Sequence, residues 1–552
     1  MCSKRVKIDD DNEDSGSSGT ERHNSHLCRA KLPPETWSEI WLLLACLEDR
    51  IAVSHVCSEW RTMALADHRL WGHIAVRLDL LVTWRIRDWD EYARLGEEEN
   101  RVAARWLRLA EHALERAGRT VSLDICIDHN GMTKDWITRF CALINKHAPR
   151  VVRFSLKLGC LVGLRECLRG FQSPMPNVRV LGLNALTFWP MPAGEIPFEL
   201  FPNVEVFKSR PCDFENFDVP STGLSKTIRS IRSNAATSAS LCALLRAFTE
   251  PEHFAIRIAY TNPREDPEKE DLDYVQSRFE KLDQLELTFD WNCYAKTRRA
   301  MPRAASKPPY FSIGLHFTLN YAKNPEEEAC MAIEDVFCDV VHATPIMLTL
   351  EQCEPPWKDL TDWDRKPIRI IVHDPATGQT RQLALHFRML YHSPKSMQLL
   401  VEQLARSPIS SLTVPWDLMN PLTAQLKEEN LRTITDLTLI VTQLIKKDQN
   451  LLWPVLPGLQ HVTLKVNYNP EAACDSPYFR LSFDVFRGAL EKLVPPPAKL
   501  HTLSLHHIRT GGCKHEDWNS AQSLATRVYG LRILSAEEAG SSTWNSDCEY
   551  CW

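Results

Sequence analysis

The chain is poor in glycine, with 20 glycines against 34 prolines in 552 residues, so glycine stands at about half its usual ~7% share. An enzyme built on glycine-rich phosphate loops is a poor fit. The sequence holds no Gly-x-Gly-x-x-Gly, no Gly-x-x-x-x-Gly-Lys-Ser/Thr, no Gly-x-Ser-x-Gly and no His-Glu-x-x-His, the spacings that phosphate cradling, nucleophile elbows and zinc hydrolysis need. No catalytic residue and no cofactor is expected.

Charge of one sign is also missing. Lys and Arg total 65, Asp and Glu 71, for a net charge of −6, so no global positive field exists to hold nucleic acid or an anionic membrane. Long apolar runs are absent too. The most apolar stretch, Trp41 to Leu47, is closed off by Glu39 and Glu48, well short of the ~18 residues of a membrane span. The first thirty residues contain no apolar segment that could act as a secretory signal, so an intracellular location is expected, in the cytoplasm or the nucleus. The 18 cysteines show no framework spacing and sit in apolar contexts such as Ile125-Cys126-Ile127, as buried thiols in a reducing compartment do. The only close pair is Cys548 and Cys551. A zinc site needs four ligands, and the next candidates, Cys513 and His515, lie over thirty residues back, so no metal is expected.

What is present is an ordinary globular balance, 44% hydrophobic and 25% charged. A first module begins at Leu32-Pro33-Pro34-Glu35. Proline is tolerated in a first helical turn, and Glu35 and Glu39 complement the positive end of the macrodipole. Ile40, Leu43, Leu44 and Leu47 then recur at helical spacing. Asp49 is placed to cap a second helix with apolar positions Ile51, Val53, Val56, Cys57, Trp60 and Ala64. A third short element ends in Leu70-Trp71. Three short helices in about forty-five residues cannot bury much apolar surface on themselves, so the surplus implies a partner.

In order and spacing, Leu32-Pro33-Pro34-Glu35, Ile40-Trp41, Leu44, Val53-Ser-His-Val56-Cys57-Ser-Glu-Trp60-Arg61 and Leu70-Trp71 resemble an F-box. Trp41 stands where that family usually has phenylalanine, and Arg50 where it commonly has an apolar residue. The resemblance implies a helical module that docks on a Skp-type adaptor and, through it, on a cullin–RING ubiquitin ligase. Leu32, Pro33, Glu35, Ile40, Leu44, Val53, Val56, Cys57 and Trp60 would then supply the adaptor contact or the packing directly behind it.

Beyond a helical connector containing Val102 to Leu114, short apolar strands recur. Val178-x-x-Leu181-x-Leu183, Leu282-x-x-Leu285-x-Leu287, Ile434-x-x-Leu437-x-Leu439, Leu459-x-x-Val462-x-Leu464 and Leu500-x-x-Leu503-x-Leu505 share one template, the strand core of a leucine-rich repeat. Looser copies include Phe154-Ser-Leu156, Leu348-Thr-Leu350, Leu383-Ala-Leu385 and Leu412-Thr-Val414. Leu412, Leu437 and Val462 are 25 residues apart, and Leu181 to Leu285 is 104, or four units of 26. The template leucines are expected in the core, leaving Thr438, Thr463, Lys465, Ser504, His506 and His507 as candidate ligand contacts. Residues 369 to 385 read as a strand, a turn at Asp374-Pro375-Ala-Thr-Gly378 and a returning strand. An acidic insertion, Pro263 to Asp271, and a basic one, Lys296 to Lys307, read as solvated loops, the basic one suited to an acidic or phosphorylated segment if it binds anything.

The expected fold is α/β: a small helical F-box followed by an irregular leucine-rich-repeat solenoid, with strand–helix repeats and a curved parallel sheet. The expected segments are a polar tail at 1–30, the F-box at 31–76, a connector at 77–118, the array at 119–536 and a tail at 537–552. The expected function is the substrate-recognition subunit of a Skp–cullin–F-box ligase with an unidentified protein substrate. The alternative is a non-catalytic scaffold whose F-box serves assembly without substrate degradation.

Overall fold

The computed structural model describes residues 32–44, 47–78, 89–118, 123–129, 134–158, 161–185, 191–210, 212–213, 227–235, 238–258, 269–290, 293–303, 307–316, 325–340, 344–352, 367–386, 390, 393–441, 454–466, 483–495, 497–506 and 528–534. The polar tails, most of the acidic insertion, His507 and the Cys548/Cys551 pair lie outside them. Two compact units divide the chain: Met1–Trp189 with Glu195–Val204, and Pro190–Gly194 with Glu205–Trp552. Both are α/β, with sheets that are mostly parallel.

The first unit opens on three helices, α1 (Pro34–Leu42), α2 (Leu47–Val53) and α3 (Ser58–Ala66), and a 3-10 turn, His68–Trp71. Strand β1 (His73–Leu78), helix α4 (Trp89–Arg116), β2 (Leu123–His129), α5 (Lys134–His147), β3 (Val151–Leu158), α6 (Leu161–Gly170) and β4 (Val180–Ala185) follow. The four strands pair in parallel in chain order. Their register stacks Ile74, Ile125, Phe154 and Leu181 in one row and Ile127, Leu156 and Leu183 in another, all fully buried. The sheet therefore starts with β1, ahead of the connector helix α4.

Helix α5 buries Trp136, Ile137, Phe140, Cys141, Leu143 and Ile144 at three- and four-residue spacing. It ends on His147, which is 7% exposed and accepts a hydrogen bond at Nδ1 from Arg150 Nη1 at 3.2 Å. Burial pushes this imidazole below its ordinary value, and the charges of Arg150 and Lys146 push the same way. The native state thus holds His147 neutral. Its contribution is complete above pH ~6.5, the unfolded value, and is lost as pH falls from there toward the lowered native value. Urea unfolding of the wild type should lose stability over that window with a limiting slope of about 1.4 kcal/mol per pH unit, and His147→Gln should flatten it. Identical pH profiles for both proteins would refute the assignment.

The second unit continues the pattern with β5 (Val206–Arg210), β6 (Ser230–Ala235), α7 (Ser238–Ala247), β7 (His253–Ile258), α8 (Lys269–Phe279), β8 (Gln284–Asp290), the short α9 (Cys293–Thr297), β9 (Tyr310–His316) and α10 (Pro325–Phe337). It goes on through β10 (Ile346–Gln352), β11 (Pro367–His373), β12 (Thr380–His386), α11 (Pro394–Leu404), β13 (Ile409–Pro415), α12 (Trp416–Thr423), α13 (Glu428–Thr433), β14 (Asp436–Val441), β15 (His461–Val466), α14 (Phe483–Leu493), β16 (Leu500–His506) and β17 (Val528–Leu534). Among the described residues helices follow β6, β7, β8, β9, β12, β13 and β15, the crossovers that parallel pairing requires. The template leucines form the core rows: Leu412, Leu437, Val462 and Leu503 pair in register, as do Val414, Leu439, Leu464 and Leu505. The 25-residue period is therefore one strand step.

Repetition extends to polar contacts that join successive turns. In the first unit Asn177 Nδ2 donates to Pro149 O at 2.6 Å and Asn203 Nδ2 to Pro176 O at 2.8 Å, both from Pro-Asn-Val triplets 26 residues apart. In the second, Thr435 Oγ1 donates to Ser410 O and Ser410 Oγ to Ile346 O. Gly458 shows one use of the few glycines, since a Cβ there would collide with the backbone carbonyl of Arg432.

Among the described strands, chain order fails at one place. The spatial order is β9, β12, β11, β10, β13, and β11 runs antiparallel to both neighbours. The strand–turn–strand expected at 369–385 forms, but it folds back into the sheet and separates β9 from β10. Strands Leu348–Leu350 and Leu383–Leu385 are therefore not consecutive turns of a regular repeat. Its tip is fixed locally: the buried Asp374 carboxylate accepts from Ala376 N at 2.9 Å and Thr377 Oγ1 at 2.6 Å, and Gly378 takes φ +73°. Among the described residues no helix is long and apolar enough to cross a membrane.

Candidate docking interface

The first three helices enclose a small core and leave a large remainder outside. Trp41, Leu47, Ala64, Leu70 and Trp71 are buried to 2% exposure or less. Trp37, Trp41 and Trp60 cluster between α1 and α3 with ring centroids 4.9, 5.1 and 6.5 Å apart, an aromatic contact that fixes the two helices side by side. Trp71 Nε1 donates to Ala64 O at 2.8 Å. The module is tied to α4 through His68, whose Nδ1 lies 2.5 Å from Arg116 O, and through the Arg116 guanidinium over the Trp71 ring.

The expected second helix breaks in two. α2 ends at Val53, and α3 starts at Ser58 with Cys57 as its N-cap, the thiol accepting from Trp60 N at 3.5 Å. Ser54, His55 and Val56 form the turn, so Val56 and Cys57 sit between helices and not along one apolar stripe. Arg61 Nε donates to Ser54 O across this turn.

Arg50 is a cation held inside the module. It is 4% exposed, and its guanidinium donates to Leu44 O at 2.7 and 2.9 Å, Leu70 O at 2.8 Å, Leu42 O at 3.4 Å and His73 O at 3.5 Å. Leu42 ends helix α1 and Leu44 lies just past its C-cap, so the charge meets the negative end of that helix and satisfies carbonyls left unpaired there.

Of the nine residues expected at the interface, none is fully buried. Leu32, Pro33, Glu35, Ile40 and Val56 are exposed, while Leu44, Val53, Cys57 and Trp60 are half-buried. Leu43 and Leu65, outside that set, are exposed at 83% and 39%. Spacing alone put Leu43 on the inward face; it falls just past the end of α1, where the chain turns away. Five of the nine large hydrophobic residues exposed among the described residues, namely Leu32, Ile40, Leu43, Val56 and Leu65, lie within this short module. Exposed apolar surface so concentrated marks an interaction site. A comparison with known proteins finds no matching family model and no matching curated protein.

Four of the six candidate contacts on the array fall where alternation puts them, and the side chains of His506 and His507 lie outside the described residues. Thr438, Thr463, Lys465 and Ser504 are half-buried on the face opposite the leucine rows, and Thr349, Thr413, Thr438, Thr463 and Ser504 share one row across five adjacent strands. The basic insertion is a correction. It is not a free solvated loop: residues 293–300 are helical, and Arg298 is ion-paired with Asp335 at 2.8 Å and Glu334 at 3.2 Å on α10. Lys307 is almost wholly buried beside Asp339 at 2.9 Å. These two cations are committed within the chain. Among the described residues no cluster of ligating side chains could hold a metal ion.

Proposed function

We propose that the chain is a non-catalytic substrate-recognition subunit of a Skp–cullin–F-box ubiquitin ligase, whose F-box docks on the Skp-type adaptor and whose leucine-rich repeats hold a protein substrate. The observation that carries this reading is the concentration of exposed Leu32, Ile40, Leu43, Val56 and Leu65 on the three-helix module. Fully burying a side chain of this size on a partner contributes about 1.5–3 kcal/mol, so several together offset the loss of free motion on association. The chain's own contribution to ubiquitin transfer is proximity, which raises the effective concentration of substrate lysines near the conjugating enzyme.

Co-purification with a Skp-type adaptor tests it. The full chain should retain the adaptor, and Leu43→Asp with Val56→Asp, both at exposed positions, should remove it while far-UV circular dichroism stays unchanged. An adaptor that is never retained, or that is retained equally by the double variant, would sink the proposal.

A further inference from the structure

Lys307 and Cys338 bring an amine and a thiol together at the end of α10. Cys338 is the first residue past that helix, its N–H donating to Glu334 O at 2.9 Å. Lys307, from the segment before β9, reaches the same point across 31 positions of chain, and its Nζ lies 3.3 Å from Cys338 Sγ. Three other groups hold that nitrogen in place: Val336 O at 3.3 Å, Asp339 Oδ1 at 2.9 Å and the face of the Phe311 ring, 5.7 Å to its centroid. The lysine side chain is 1% exposed, whereas Cys338 is the one exposed thiol among the described free cysteines. Cys57, Cys141 and Cys330 face a backbone amide, a carbonyl and a hydroxyl. Of these four, Cys338 alone faces an amine.

An oxidant therefore reaches the sulfur from solvent, and the nitrogen is already in contact with it. Sulfenic acid is the first product of cysteine oxidation, and it condenses with a nearby nitrogen to a sulfenamide. We propose that Cys338 and Lys307 form a covalent, reducible cross-link when the protein meets hydrogen peroxide. In the first step Sγ attacks one peroxide oxygen and the O–O bond breaks. Cys338 becomes a sulfenic acid, and the other oxygen leaves as water with the thiol proton; sulfur gives up an electron pair and the peroxide accepts it. In the second step Lys307 Nζ attacks Sγ, the S–O bond breaks and an S–N bond forms. The ammonium releases one proton to the departing hydroxide, which leaves as water, and another to solvent. Holding the nitrogen against the sulfur makes this capture intramolecular, which favours it over further oxidation. The link ties the segment before β9 to the end of α10, beside the Arg381–Asp339 pair. It is independent of the ligase reading.

Peptide mapping by mass spectrometry on the full chain, with and without a small excess of hydrogen peroxide, tests it. Peroxide should join the peptides holding Lys307 and Cys338, with the mass of the pair lowered by two hydrogens, and dithiothreitol should separate them. Cys338→Ser, at an exposed position, should abolish the joined pair. Lys307→Arg keeps a cation beside Asp339 but lacks the primary amine, so its sulfenic acid should persist and take up several-fold more dimedone than the wild type does. Oxidation should also raise the urea midpoint of the wild type, because the link closes a loop in the unfolded chain, and leave that of Cys338→Ser unchanged. A wild type that gives no joined pair, that carries its oxidation on Cys338 as sulfinic acid or a disulfide, or that takes up dimedone as readily as Lys307→Arg would overturn the proposal.

Discussion

Replacing Arg50 by leucine should unfold the three-helix module at the start of the first unit. Arg50 sits 4% exposed and serves carbonyls of Leu42, Leu44, Leu70 and His73. Leucine would fill part of the volume and donate nothing. Hydrogen bonds to a charged group contribute about 1.5–3 kcal/mol each, and a buried carbonyl left unpaired costs about 1–3 kcal/mol. The Leu42 carbonyl belongs to the end of α1 and that of Leu44 lies just past it, so the substitution also removes the charge that opposes that helix's macrodipole. We expect a loss of at least ~3 kcal/mol for the module and, with it, loss of adaptor retention. Arg50→Lys should recover only part, because an ammonium lacks the planar fork that reaches several carbonyls at once. Limited proteolysis of residues 32–78 reads the result directly, and wild-type resistance in Arg50→Leu would contradict it.

Asp339→Ala should produce the largest stability loss in the second unit. The Asp339 carboxylate lies 2.7 Å from Arg381 Nη2 and 2.9 Å from Lys307 Nζ, with the two cationic side chains 3% and 1% exposed. Burial would raise this carboxyl, but the hydrogen bond from Arg381 and the charges of Lys307 and Arg381 outweigh it and hold the group below the ordinary carboxylate value. Its stabilisation is therefore present above pH ~3.9 and lost as pH falls through the lowered native value. Removing the acid strands two buried cations, and breaking a buried pair this way costs about 3–5 kcal/mol. Arg381 also donates to Pro308 O and Pro309 O, each at 3.0 Å, so it anchors the inserted strand β12 to the segment before β9. Asp339→Ala should lower the urea midpoint, and adding Arg381→Met should restore part of it by removing one uncompensated charge. A double variant less stable than Asp339→Ala would show that the carbonyl contacts of Arg381, and not its pairing with Asp339, dominate.

Much of the strand ladder was legible because its signal is local and repeated. Alternating leucines at a fixed spacing put Leu437, Val462 and Leu503 in one core row whatever the loops between them do. The helical module was readable for the same reason, with its boundaries shifted where the cap lies. Cys57 as N-cap was hidden, because cysteine rarely plays that part. The repeated asparagine-to-proline-carbonyl contacts were open to notice, since Pro176-Asn177-Val178 and Pro202-Asn203-Val204 stand in the sequence. The pairing of the basic segment with α10 was not readable, because Arg298 and Asp335 are brought together by the fold across 37 residues.

The sequence by itself determined the alternation of strand and helix, the identity of the core rows and the presence of a small helical module with apolar surface to spare, since each follows from periodicity over a few residues. Tertiary structure alone decided that β11 enters antiparallel and parts β9 from β10, that Arg50 is a buried carbonyl clamp, and that Leu43 points outward while Trp41 points in. Those outcomes depend on which distant backbone and charge each side chain meets, and spacing along the chain carries no information about that.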